Sequence, residues 1–97
     1  MKRLDVAEPA QRDLDEQIDY IARDNPAAAD RFADEIGERM EWIAEVDFTG
    51  VPRDHLMPGL RACLYRGRTI YYVSTADAVT VLRVMHQARN ITPEDFE

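Results

Sequence analysis

Soft and nucleophilic side chains are nearly missing from this 97-residue chain, which holds one cysteine, Cys63, one lysine, Lys2, and two histidines, His55 and His86. A single thiol excludes an intramolecular disulfide, and with only two imidazoles beside it the chain falls short of a structural zinc site. No cofactor and no metal are expected. No apolar run approaches the roughly 20 residues that cross a bilayer, and the opening MKRLDVAEPA lacks the apolar segment of a secretory signal. A cytoplasmic, reducing setting without membrane contact is therefore expected. The four glycines are scattered, so neither a phosphate-cradling loop nor a dinucleotide fingerprint is present. Asn90-Ile91-Thr92 matches a glycosylation sequon, which carries no meaning without secretion.

What the chain does have is arginine and acid, unevenly divided. The formal net charge is −7, yet residues 9–47 carry −8, residues 51–89 carry +4, and the tail from Asn90 carries −3. Eleven of the twelve basic residues are arginine, whose planar fork suits carboxylates and phosphates better than an ammonium does. An acidic total argues against broad or sequence-specific nucleic-acid binding, where affinity grows with the number of phosphates neutralised. A hydrophobic content of 45% supplies one core and not two, so residues 1–97 are expected to form a single domain.

Leu4 to Ala7 has β character, and Glu8-Pro9 then marks a helix start. The spacing of Ala10, Leu14, Ile18 and Ile21 predicts a helix over 9–24 with one apolar face. Asn25-Pro26 repeats the start signal with Asn25 as cap. A second helix is expected over 26–46, with Ala29, Phe32, Ile36, Met40 and Ile43 along one side and a close helix crossing as the reason for Gly37. Gly50, Pro52, Pro58 and Gly59 break the next stretch into a loop with a helical turn near 53–57. Three strands are expected over 60–66, 68–74 and 79–87, joined by turns short enough for antiparallel hairpins. The class is thus α+β in the order β-α-α-β-β-β, a helical hairpin packed on a small, mainly antiparallel sheet.

The segment VTVLRVMHQARNI concentrates the chemistry, because an apolar strand is interrupted by Arg83 and closed by His86, Gln87, Arg89 and Asn90. Strict alternation would put Val79, Val81, Arg83 and Met85 on one face and Thr80, Leu82, Val84 and His86 on the other. That separates Arg83 from His86 and weakens an acid-base pair between them. A nuclease reading would use Arg61, Arg83, His86 and Arg89; the plainer one has His86 capping the core and Arg83 paired with a helical carboxylate. Arg61, Arg66 and Arg68 flank the first hairpin with Tyr65, Tyr71 and Tyr72 among them, an arrangement fit for stacking, for an acidic peptide, or for plain solvation. Tyr71 and Tyr72 must face opposite ways, so at least one belongs to the core. Trp42 is placed at the helix-sheet seam, Cys63 as a buried inert thiol, and His55 without a metal partner.

Taken in order, LDEQIDYIARDNP, AAADRFADEI, PGLR at 58–61, IYYV at 70–73 and LRVMHQARN at 82–90 resemble the ParE branch of the RelE/ParE toxin superfamily over nearly the whole chain. The resemblance implies a type II toxin of the kind that serves plasmid stabilisation. It would be neutralised in a hetero-oligomer by a ParD-like, ribbon-helix-helix DNA-binding antitoxin. ParE-like members poison DNA gyrase by binding, whereas RelE-like members cut messenger RNA on the ribosome, and a shared fold does not decide between them. An acidic chain with one lysine and no tyrosine after His86 fits the gyrase reading, which leaves the catalytic set empty and assigns Arg61, Arg68, Arg83, His86 and Arg89 to partner contact. The alternatives are the ribosome-dependent endoribonuclease and a non-toxic antitoxin-binding module.

Overall fold

The computed structural model describes residues 1–97 and has the element order β1 (Arg3–Val6), α1 (Glu8–Asp24), α2 (Pro26–Val46), β2 (Val51–Pro52), β3 (Arg61–Tyr65), β4 (Arg68–Ser74), β5 (Ala78–His86) and a 3-10 helix (Pro93–Phe96). The sheet runs β1-β5-β4-β3-β2. Only the β1–β5 pair is parallel, so the expected α+β architecture is present, with two additions. A two-residue β2 extends the sheet beyond β3, and the 3-10 helix turns the C-terminal segment back onto it.

Both helix starts follow their local signals. Pro9 and Pro26 sit in first turns, where a missing amide hydrogen costs nothing, and the Asn25 side chain accepts from the Ala28 amide at 3.0 Å. α2 ends where Asp47 turns left-handed at φ 49°. The β3–β4 hairpin closes through Arg66 and Gly67, both at positive φ, the combination a two-residue primed turn needs to match strand twist. No close crossing explains Gly37, because a Cβ there would meet nothing within 4 Å.

Two apolar clusters flank the sheet. The larger joins Leu14, Ile36, Met40 and Ile43 of the hairpin to Cys63, Ile70, Tyr72, Val79, Val81 and Val84. The smaller, on the opposite face, gathers Leu60, Ala62, Tyr71 and Met85 under Leu56, Met57, Ile91 and Phe96. Tyr71 and Tyr72 thus face opposite ways as expected, and both are buried. The Tyr72 hydroxyl donates to the Phe48 carbonyl at 2.7 Å. Burial pushes that phenol up to about 12, the absence of water disfavouring its anion. Cys63 is buried and its thiol is likewise pushed up by burial. Trp42 lies at the seam, 4.9 Å from Phe48 between ring centroids.

Strict alternation along β5 fails. Tyr71 pairs with Arg83 but Tyr72 with Val81, leaving Leu82 as an extra residue. This β-bulge inverts the phase of everything after it. Val84 therefore joins Val79 and Val81 on the helix side, while Leu82 and Met85 pack on the other. The grouping of Arg83 and Met85 with Val79 and Val81 is corrected accordingly.

Candidate functional site

β1 covers β5 only as far as Val81, after which the chain leaves the sheet and enters α1. From Leu82 onward β5 would present an open edge with unpaired backbone groups. Two α1 side chains close it. Asp13 accepts from the Val84 amide at 3.0 Å, and Gln17 donates to the Val84 carbonyl at 2.9 Å. Four positions apart, they lie on one helix face and do for β5 what a neighbouring strand would have done.

The same two side chains organise the arginines. Arg83 grips Asp13 with Nε at 2.7 Å and Nη2 at 2.8 Å, and its Nη1 donates to the Asp95 carbonyl at 2.9 Å. Both partners are largely buried, with side chains 18% and 12% exposed. The paired carboxylate raises the Arg83 pKa further. Gln17 accepts from Arg68 Nε at 2.6 Å, and the Arg68 guanidinium lies 4.4 Å from the Phe32 ring centroid. Desolvation lowers the Arg68 pKa. Asp95 also accepts from Arg89 at 2.9 Å. The result is a continuous polar chain from β4 through α1 to the 3-10 helix. It borders a cleft of about 290 Å³ lined by Pro9, Arg12, Asp13, Glu16, Arg83 and Arg89.

His86 stands directly opposite Arg68 across the β4–β5 ladder but is exposed. Its one hydrogen bond is accepted by Nδ1 from the Ala88 amide at 3.4 Å. It does not cap the core, and no carboxylate orients it as a general base would require. Arg61 sits on β3, on the far side of β4 from β5, opposite Tyr72. Arg68 and His86 thus form one cross-strand pair, Arg83 and Arg89 are joined through Asp95 at one cleft, and Arg61 stands apart from both. Pairing of Arg83 with a helical carboxylate is what the structure shows, and that carboxylate is Asp13. No group of three or more His, Cys, Asp or Glu side chains is placed to hold a metal ion.

Asp13 and Gln17 escape sequence reading because each looks like one more polar residue on an acidic helix. The available signal is their position immediately before Leu14 and Ile18, on the flank of the apolar stripe rather than opposite it.

A family model described as ParE toxin of type II toxin-antitoxin system, parDE, matches residues 4–91. Among solved structures, a chain from a chromosomal ParDE TA system from P. aeruginosa superimposes with a TM-score of 0.74 at 24% identity, covering 89% of this chain and 96% of that one. No curated protein matches.

Proposed function

The chain belongs to the ParE toxin family of type II toxin-antitoxin systems, and on that premise we propose that it inhibits DNA gyrase by binding, without bond-making chemistry, and is held inactive by a ParD-like, ribbon-helix-helix antitoxin. One observation carries the choice of binding over RNA cleavage. Arg83, one of the arginines that could stabilise a phosphoryl charge, already has its charge matched by the Asp13 carboxylate, and that pair and the Asp95 carbonyl take three of its five N–H groups. Turning its bidentate face to a phosphate would mean giving up a largely buried pair with Asp13, which costs several kcal/mol. The unoriented His86 supports the same reading.

Partner contact falls to Arg61, Arg68, His86 and Arg89, with Arg83 holding the cleft in shape. An antitoxin segment that folds on binding would lay an apolar helix on the helical hairpin and an extended part along the sheet. Favouring the extended part, Leu64 on the outer strand β3 is 58% exposed and β2 covers only Arg61 and Ala62 of that strand's edge.

Gyrase supercoiling by purified enzyme tests the reading. The wild-type chain should inhibit it, and stoichiometric antitoxin should restore it. Undiminished supercoiling with a large excess of the chain would sink the proposal, and cleavage of ribosome-bound message would establish the nuclease alternative instead.

A further inference from the structure

Five arginines are partly buried: Arg39, Arg53, Arg61, Arg68 and Arg83. Four have evident partners. Arg39 lies over the rings of Trp42 and Tyr65, Arg53 donates to the Pro52 carbonyl, Arg68 bonds Gln17 over Phe32, and Arg83 holds Asp13. Arg61 alone has no hydrogen bond, ion pair or ring partner within the chain. It lines a cavity of about 340 Å³ with Thr49, Pro52, Asp54, Gly59 and Ser74.

The walls of this cavity are fixed in advance. The Tyr72 hydroxyl ties down the Phe48 carbonyl. Gly50, at φ +67°, lies so close that a Cβ would meet that hydroxyl at 2.4 Å and the Ala62 carbonyl oxygen at 2.8 Å. Asp54 accepts from the Gly59 amide at 2.9 Å, and the Arg53 amide donates to the Leu60 carbonyl at 2.8 Å. Beside it, Ser74 donates to Asp47 at 3.0 Å and accepts from Lys2 at 2.8 Å, and Lys2 pairs with Asp47 at 3.0 Å. Asp47 is thus hydrogen-bonded by Lys2 and Ser74, with Arg61 near enough to help lower its pKa but not to bond it, and Asp54 is engaged by a backbone amide. The guanidinium of Arg61 remains as an unused fork in a preformed polar cavity, with the Thr49 hydroxyl as a second donor.

From this we infer that the cavity is a docking pocket for a carboxylate, supplied by an Asp or Glu side chain of the protein partner; it rests on the antitoxin reading above for the partner's identity. A planar monoanion matches the bidentate geometry of a guanidinium. A phosphate, with more charge, would meet Asp54 in the same cavity and Asp47 beside it. The carboxylate displaces solvent from a group that the fold leaves unpaired, and so gains without breaking an internal bond.

Two measurements test the pocket. In the first, the wild-type chain is titrated with sodium acetate and, at matched ionic strength, with sodium chloride and inorganic phosphate while its NMR spectrum is followed. Acetate should give saturable shifts at the Arg61 side chain and the Thr49 amide. Chloride should give none, phosphate should bind more weakly, and Arg61→Ala should abolish the acetate response. In the second, affinity for the antitoxin encoded beside this gene is compared among wild type, Arg61→Ala and Arg61→Gln. Both variants should keep the native fold and weaken binding about tenfold or more. One Asp→Asn or Glu→Gln change in the antitoxin should reproduce that loss without adding to it. Absent acetate shifts, or antitoxin affinity within twofold of wild type in both variants, would overturn the pocket. Should the wild-type chain not bind the antitoxin at all, the antitoxin reading falls and the acetate titration alone decides the pocket.

Discussion

Arg83 and Arg61 are the same side chain at similar depth and have opposite situations. Arg83 meets two carboxylate oxygens and a carbonyl, so its charge is spent on the fold. Arg61 meets none, so its charge is available. Removing Arg83 should accordingly harm stability before it harms any partner contact. Arg83→Ala strands the Asp13 carboxylate in a largely buried position, and we expect a loss of about 3 kcal/mol in urea unfolding. The Asp13→Ala and Arg83→Ala double variant should be less destabilised than the sum of the single changes, because each single change leaves a charge unpaired. A stability loss below about 0.5 kcal/mol for Arg83→Ala would show that the pair contributes nothing measurable. The sequence offered both members of this pair but not their pairing, since Asp13 and Arg83 are 70 positions apart and residues 9–47 hold eleven other acidic residues.

At the scale of elements, helix and strand spans follow closely from local signals. Proline starts, the Asn25 cap and a 3.6-residue apolar repeat set the hairpin, and the Arg66-Gly67 turn sets the β3–β4 register. The misjudged features are those that depend on a neighbouring element. The bulge at Leu82 lies where β1 has stopped covering β5, and β2 pairs Val51 and Pro52 with β3 just after the point where Tyr72 ties down the Phe48 carbonyl. Two glycines illustrate the difference. Gly37 has open space around it, so Gly37→Ala should raise stability by about 0.5–1 kcal/mol through helix propensity alone. Gly50→Ala puts a Cβ against backbone and a pinned hydroxyl at a positive φ, and should cost more than the first change gains. Thermal melts of the two variants should move in opposite directions. A common direction would refute the account of both sites.

The whole molecule has one sheet covered on both faces, by the acidic helical hairpin on one and by the 53–60 loop with the C-terminal segment on the other. Tyr72 ties the loop after α2 to the larger core, and its neutral form is the one the fold holds. Because its folded pKa is raised, this stabilisation is complete below the ordinary tyrosine pKa near 10. It is lost as pH climbs through that value to about 12. Urea midpoints taken across pH 8.5–11.5 should therefore fall more steeply for wild type than for Tyr72→Phe, and parallel profiles would exclude Tyr72 as the cause. Composition determined the broad outline by itself. Periodicity, caps and turns are local properties, read within a few residues, and they specify the α+β order and the family resemblance. Tertiary structure alone decided which arginines are spent and which are free, because a guanidinium is paired by whatever folds against it. Asp13 and the Asp95 carbonyl reach Arg83 only after α1 crosses the end of β1 and the tail turns back, whereas the elements that fold around Arg61 bring no acceptor into hydrogen-bond reach of its guanidinium.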